Sequence, residues 1–330
     1  MSVHTQIAPV LDRNLALEVV RVTEASALAA ARRTGRGDEK AADEAACQAM
    51  RSALNGVAMS GVIVNGEGDD PTQPLHTGEK VGTGKGPTID IVLTALEGRS
   101  ICARGANNAL SVVAMTEEGS FLKVPQHSYM EKLVVGPGLP PGVIDLDSTP
   151  EDNLARIAAA RGVRVADLTV SILDRPRHID LIDRVLGAGA RVMLFDDGDV
   201  SGALATGLPD TGIDVYMGSG GAAQGVLAAA GLKCLGGQMQ GRLVLRSDQD
   251  RAAAARAGIQ DPSRKWDIDD MVKGEVMFAA TGITDGHVLK GARLLPGNHA
   301  VSHSLVMRSL SGTIRYLTVQ HDLTRGLLAL

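Results

Sequence analysis

An α/β fold, with helices packed closely on sheets, is what this sequence predicts, and three observations carry the prediction. From about residue 150, apolar runs of strand length alternate with runs of helical periodicity, the pattern of βαβ units around a parallel sheet. Hydrophobic residues make up 44% of the chain but aromatics only 2%, so the core has to be built from Ala, Val, Leu, Ile and Met, which suits sheets covered by helices. The 330 residues give room for two packed domains or one large α/β unit, and 22% charged residues is ordinary for a globular chain. We place the division at the change of texture, with one subdomain over 1–150 and a second over 151–330.

In chain order, residues 13–33 carry Leu15, Val19, Val22 and Ala29 at helical spacing until Gly35-Arg36-Gly37 breaks the pattern. Asp38 is placed to cap a second helix running to about Leu54, with Ala42, Ala45, Ala49 and Ala53 on one face and Asp43 one residue off it. Val62-Ile63-Val64 is a short strand feeding an acidic turn at 66–70, and glycine-rich residues 78–86 lead into a buried strand over 89–93. That strand delivers a turn at 94–99 in which Glu97 is the one acid. Asp90, by the period of two, faces with Val92 and Thr94 and does not replace an acid of the turn. Apolar stretches at 110–115 and 121–124, joined by Glu117-Glu118-Gly119, predict an antiparallel hairpin.

Beyond 150 the predicted strands are 170–173, 192–195 and 213–217, and the predicted helices 178–188, about 199–206 and 222–230. Each strand ends in a polar turn: Arg175-Pro176-Arg177-His178, Asp197-Gly198-Asp199 and Gly218-Ser219-Gly220-Gly221. Ligands of open α/β sheets bind outside the carboxyl ends of the strands, so these turns should line one crevice. Residues 250–272 are charged and Ala-rich, and strands return at 276–280, 304–307 and 313–319.

A formal net charge of -5, with no basic run longer than Arg32-Arg33, argues against nucleic acid as a partner. No basic n-region with an apolar h-region opens the chain and no stretch of about 18 apolar residues occurs, so the expectation is a cytoplasmic protein without membrane partners. Cys47, Cys102 and Cys234 are isolated and read as small buried hydrophobes rather than disulfide or zinc ligands.

Three groups of residues point to chemistry. Asp43, Glu67, Asp69 and Glu97 are acids on one helix and at two strand ends; each alone is most often just solvated, but a divalent hard cation on a phosphate needs several such oxygens aimed at one point. Arg175 and Arg177, spaced by a proline that limits how they splay, suit a phosphate clamp. Glycines at 218 and 220–221 opening a helix form either an anion nest or simply a tight turn. Among eight scattered histidines, His178 beside Arg177 is the one candidate for a site.

Eight motifs then recur in a recognisable order: V-T-E at 22–24, G-R-G-D-E-K-A-A-D at 35–43, V-N-G-E-G-D at 64–69, G-E-K-V-G-T-G-K-G at 78–86, Y-M-E-K at 129–132, R-P-R-H at 175–178, D-G-D at 197–199 and A-T-G-I-T at 280–284. With them the chain resembles the class II fructose-1,6-bisphosphatases along nearly its whole length. The resemblance implies the fold of the lithium-sensitive, metal-dependent sugar phosphatases, two α/β parts stacked as a layered αβαβα sandwich. The N-terminal part would then carry the metal and phosphate residues and the C-terminal part the sugar-phosphate residues, with the site between them. It implies a hydrolase of carbohydrate metabolism and gluconeogenesis that removes the 1-phosphate of fructose 1,6-bisphosphate or a relative, with Mg²⁺ or Mn²⁺ as cofactor.

By the same resemblance Asp43, Glu67 and Glu97 are metal ligands, Glu97 and Arg99 occupy catalytic positions, and Gly98, Arg99, Tyr129, Arg175, Pro176, Arg177, Asp197, Gly198, Asp199 and Gly221 contact the sugar phosphate. The chain departs from the family's D-P-x-E-G-T turn at Thr94, Ala95 and Arg99, and from its G-G-A-P-E-G turn at Gln224. Thr94, Arg99 and Gln224 each shift the local charge one unit toward positive. An Arg99 guanidinium about 5 Å from a divalent ion would repel it by roughly 6 to 7 kcal/mol at an effective dielectric of 20. The metal site is therefore expected to be impaired and the anion-binding side intact. Three functions are expected to compete: a sugar bisphosphatase, a pseudophosphatase that binds sugar phosphates as a sensor or as partner of an active homologue in a mixed oligomer, and an isomerase or lyase reusing the pocket. The resemblance also implies a homo-oligomer, dimer or tetramer.

Overall fold

The computed structural model describes residues 15–261 and 263–325. The chain begins with helices α1 (Leu15–Ala31) and α2 (Glu39–Asn55), then β1 (Ser60–Asn65), β2 (Lys80–Val81), β3 (Thr88–Glu97), α3 (Arg99–Arg104) and β4 (Leu110–Glu117). It crosses to a second sheet with β5 (Tyr129–Val135), α4 (Pro150–Arg161), β6 (Thr169–Leu173), α5 (Ile179–Gly187), β7 (Arg191–Phe195), α6 (Asp199–Ala205), β8 (Val215–Gly221), α7 (Ala222–Leu235) and β9 (Gln238–Val244). After α8 (Asp248–Arg256) and α9 (Ile268–Met271), strands β10 (Met277–Gly282), β11 (Arg293–Leu295), β12 (His299–Arg308) and β13 (Thr313–Asp322) return to the first sheet.

Five layers result. Helices α1 and α2 bury Val19, Met50 and Leu54 against Ile91, Val113 and Ala279 on one face of the first sheet. The other face packs Val92, Val112, Phe278 and Leu305 against α6 and α7, which in turn meet Met130, Val134 and Tyr216 of the second sheet. The outer face of the second sheet is closed by Leu154, Ile157 and Val185 of α4 and α5. The architecture is thus the αβαβα sandwich that the motifs imply.

Lying between two sheets dictates the composition of α7. Ten of its 14 residues are Ala, Gly or Leu, and all but Ala223, Gln224 and Lys233 are buried. A Cβ on Gly225 would stand 2.6 Å from Met130 Sδ, and one on Gly231 2.4 Å from Leu204 Cδ2. Glycine in a helix costs about 1 kcal/mol relative to alanine, and here the closer approach of both layers offsets it.

The predicted helices and most strands form. Asp38 caps α2, its side chain accepting from Ala41 N at 2.9 Å. Four expectations are corrected. Residues 110–115 and 121–124 do not pair as a hairpin; β4 lies between β3 and β10, and Phe121 makes only an isolated bridge to Val272. The second sheet, order β7-β6-β8-β5-β9, is parallel only among β6, β7 and β8, because β5 and β9 join antiparallel. The buried face of α2 is Ala42, Ala46, Cys47, Ala49, Met50 and Leu54, rotated from the alanine line at 42, 45, 49 and 53. Sheet membership does not change at 150: residues 129–244 build the second sheet, and 277–322 belong to the first. No helix among the described residues is long and apolar enough to cross a membrane.

Candidate functional site

Four chain turns meet where the two sheets face each other. At the end of β3, Gly98 takes φ 86° and starts α3; at the end of β7, Gly198 takes φ 103° and starts α6. Both conformations are left-handed and favour glycine. The other two turns are the 3₁₀ turn Pro176–His178 after β6 and the Gly220-Gly221 entry to α7. A Cβ on Gly220 would fall 1.8 Å from Asp199 Oδ2, and one on Gly221 1.9 Å from Gln224 Oε1, so both turns need glycine for the approach itself.

The turns enclose a crevice of about 450 Å³. Of the residues singled out by sequence, Glu67, Thr94, Glu97, Gly98, Arg99, Tyr129, Arg175, Arg177, Asp197, Asp199, Gly221 and Gln224 line it. Pro176 and Gly198 shape its turns without lining it. Asp43 opens instead onto an adjoining hollow of about 580 Å³, which shares Glu67 and Arg99 with the crevice. Arg99 is therefore the partition between the two spaces.

On the first-sheet wall Arg99 stands between two acids. Its Nε lies 2.8 Å from Asp43 Oδ1 in an ion pair, and its Nη2 donates to Glu67 Oε2 at 2.7 Å. The second oxygen of Glu67 accepts from Ala95 N at 2.6 Å. Burial raises the Asp43 carboxyl to about 6, aided by Glu67 and opposed by Arg99.

Glu97 turns away from this pair. Its Oε1 accepts from Val200 N at 2.7 Å and its Oε2 from Ser201 N at 3.3 Å, so the carboxyl sits on the open N–H groups of α6. Burial holds it up at about 8, against the pull of the Val200 N–H. Among the described residues no group of three His, Cys, Asp or Glu is arranged to hold a metal ion. Asp90, in the body of β3, accepts from Gly119 N at 2.7 Å and stays out of the crevice.

Asp199 is engaged from below. The buried Lys132 ammonium lies 2.7 Å from its Oδ2 and also donates to Gly221 O at 3.1 Å, while the Tyr216 hydroxyl donates to its Oδ1. Lys132 and Tyr216 were not expected at the site. The Y-M-E-K motif contained Lys132, but only the pairing of β5 with β8 puts it under the D-G-D turn. Asp197 accepts from Gly198 N at 2.9 Å, and Arg175 Nη2 approaches its Oδ1 to 3.9 Å.

The second-sheet wall is cationic. Arg177 donates from Nε and Nη2 to Ser219 O at 3.0 and 2.7 Å, and its guanidinium carbon is 5.3 Å from the centroid of the Tyr129 ring. His178 is buried beneath it. Its Nδ1 reaches Leu173 O at 2.8 Å and its Nε2 accepts from Ser219 N at 2.9 Å, which fixes the Nδ1–H tautomer. Burial depresses its pKa, so His178 is a neutral brace between the β6 and β8 turns.

Comparison with known proteins points one way. A family model described as bacterial fructose-1,6-bisphosphatase, glpX-encoded, matches residues 13–321. A protein of Synechococcus sp. (strain JA-3-3Ab), named D-fructose 1,6-bisphosphatase class 2/sedoheptulose 1,7-bisphosphatase, is 41% identical over 337 aligned residues, covering 94% of this chain and 96% of the relative. Fructose-1,6-bisphosphatase 1 class 2 of Escherichia coli (strain K12) is 43% identical over 329 residues, covering 96% of this chain and 97% of its own.

Proposed function

As the chain belongs to the bacterial, glpX-encoded class II fructose-1,6-bisphosphatase family, we propose that it binds a sugar bisphosphate, fructose 1,6-bisphosphate or a relative, in the crevice between its sheets, and that it does so without a metal ion. The family's phosphatases depend on metal. The observation that carries the departure is Arg99, whose guanidinium lies where a cation shared by Asp43 and Glu67 would have to lie.

The donor set does not fit Mg²⁺ or Mn²⁺. Asp43 and Glu67 are both engaged by Arg99, Glu97 is committed to α6, and Thr94 and Gln224 offer neutral oxygens to a hard cation that prefers carboxylates. A divalent ion about 5 Å from the guanidinium would meet roughly 6 to 7 kcal/mol of repulsion at an effective dielectric of 20. Arg99 also has no hydroxyl with which to orient an attacking water.

What the site's own residues do is bind. Arg175 and Arg177 supply guanidinium forks for phosphate, Tyr129 an apolar face with a polar tip, and Asp197 an acceptor for sugar hydroxyls. The reading is a pseudophosphatase, a sensor of sugar phosphate or the partner of an active homologue in a mixed oligomer, working in the cytoplasm. Isothermal titration calorimetry with fructose 1,6-bisphosphate tests it: micromolar-range binding in EDTA, unchanged within about twofold by Mg²⁺ or Mn²⁺, is expected. Binding that appears only with metal would sink it.

A slow bisphosphatase is the second reading, favoured by the presence of Asp43, Glu67 and Glu97 and by the names of relatives more than 40% identical. Metal-dependent release of inorganic phosphate from fructose 1,6-bisphosphate would establish it in place of the first.

A further inference from the structure

Two of the eight motifs, V-T-E at 22–24 and A-T-G-I-T at 280–284, put no residue into the lining of the crevice. They meet under α1, on the outer face of the first sheet, where Thr23 Oγ1 lies 2.8 Å from Thr281 Oγ1 and Thr281 Oγ1 lies 2.8 Å from Ser304 Oγ. Beside this chain of hydroxyls, Ser302 Oγ lies 2.8 Å from His321 Nε2. Glu24, the last residue of V-T-E, stands among them. Ser302 and Ser304 reach its carboxyl, yet Oε1 of this residue, which is only 5% exposed, has no hydrogen-bond partner among the described residues. A buried acceptor left without a donor is costly, and a donor from outside the chain removes the cost.

Glu24 also lines a cavity. About 690 Å³ lies between α1, α2 and β13, and its lining shares no residue with the crevice. Val20, Val57, Leu317 and Val319 give it apolar walls, while at its exposed rim Arg21 pairs with Glu18 at 3.2 Å and Arg325 with Asp322 at 3.1 Å. Both rim arginines thus have a carboxylate of their own three residues away, and His321, whose pKa burial lowers, brings no cation to Glu24. An apolar chamber with one unanswered acid is the complement of a small cation on an apolar body. An anion is refused by the acid, and a neutral donor makes the weaker bond.

We propose that this cavity is a second ligand site, separate from the crevice, that takes a small organic ammonium or amidinium whose N–H donates to the Glu24 carboxylate while its apolar part packs on Val20, Val57, Leu317 and Val319. No bond is made or broken in binding. The cation takes the place of the proton that burial keeps on Glu24 up to about pH 7, so affinity rises with pH through that value and levels off above it. The other charged and titratable groups facing Glu24 are Glu18, Arg21, His321 and Arg325; Arg21 opposes the cation, and His321 is neutral where Glu24 titrates.

Benzamidine is the probe and uncharged benzamide its control, titrated into the full chain at pH 6 and pH 8 and followed by saturation-transfer NMR. Wild-type protein is expected to bind benzamidine about tenfold more tightly at pH 8 than at pH 6, and to bind benzamide at least about tenfold more weakly than benzamidine at pH 8. Glu24→Gln should lose both the preference for the cation and its pH dependence. Ala53→Leu, which fills the cavity from α2 and leaves Glu24 in place, should abolish benzamidine binding, so the assignment does not depend on one variant. No binding by wild type at about 10 mM benzamidine, equal binding of the two probes, or wild-type affinity in Glu24→Gln would overturn it. Benzamidine binding that weakens as protein concentration rises would overturn it too, and would give the cavity to a contact between two copies of the chain.

Discussion

On the first-sheet wall of the crevice Arg99 lies between Asp43 and Glu67, and its charge is neutralised inside the protein. On the second-sheet wall Arg177 bonds to a carbonyl, Ser219 O, and keeps its full charge toward the crevice. Both walls are built the same way, from glycine turns that follow strands and start helices. The backbone device is thus independent of what it presents. One wall ties its guanidinium into ion pairs with Asp43 and Glu67, while the other leaves the Arg177 guanidinium facing the crevice without an ion pair among the described residues. Arg99 gives the first wall its own chemistry, while the turn that holds it follows the same plan as the turn opposite.

The largest effect is expected from making the walls alike the family's again. Thr94→Asp, Ala95→Pro, Arg99→Thr and Gln224→Glu together should raise Mn²⁺-dependent phosphate release from fructose 1,6-bisphosphate by roughly 10²-fold or more, the scale on which positioned electrostatic groups act in catalysis. A continuous phosphate assay reads it, and an unchanged rate would mean that the scaffold lacks more than these four residues. Next in size is Arg177→Ala, which should weaken sugar-bisphosphate binding by roughly 10- to 100-fold, since charge-assisted bonds contribute about 1.5 to 3 kcal/mol. Equal affinity of variant and wild type in calorimetry would place recognition on the other wall.

A smaller change tests the inward pairing itself. Arg99→Ala leaves Asp43 and Glu67 facing each other, and should lower stability by about 1 to 2 kcal/mol in EDTA. Millimolar Mn²⁺ should then raise the melting temperature of the variant by a few degrees, through binding to the folded state, and leave wild type unmoved. The same Mn²⁺ shift in both proteins would show that Arg99 does not exclude the ion.

The smallest effect on ligand is expected from Glu24, which lies in α1 outside both walls. Burial raises its carboxyl from 4.5 to about 7, so in that pH window the folded protein holds a proton that the unfolded chain releases. Stability accordingly falls as pH rises from about 4.5 to 7 and levels off above. Glu24→Gln should flatten that fall by up to about 3 kcal/mol in denaturant titrations, with Asp43 and Glu97 keeping their own shares, and leave sugar-phosphate affinity unchanged. A loss of affinity in Glu24→Gln would mean that the crevice and α1 are coupled.

Local signals in the sequence gave up the elements they govern. Asp38 announced α2, and polar turns at the carboxyl ends of β6, β7 and β8 predicted that Arg175, Arg177, Asp197 and Gly221 would share a crevice, because parallel strands aim their ends the same way. Strand β5 went unread because Glu131 and Lys132 are adjacent and break the alternation; its register alone brings Lys132 under Asp199 and Tyr129 between Arg177 and Arg246. Helix α4 did carry a signal, Thr149 capping with Pro150 in the first turn. Nothing near Glu97 in the sequence names Val200 and Ser201, since that contact spans more than 100 residues and exists only once the layers have stacked. Patterns of period report a residue's own neighbours, and the pairing of charges across layers is decided elsewhere in the chain.

The first turn of α6 is gripped from two directions. Glu97 reaches it from the first sheet through Val200 and Ser201, and Lys132 reaches it from the second through Asp199. A crevice whose two walls are bolted to one helix behaves as a gauge rather than a jaw. Closing one wall on the other would break the Glu97 or the Asp199 contacts, so selection is expected to rest on whether a molecule already matches the crevice's width and charges.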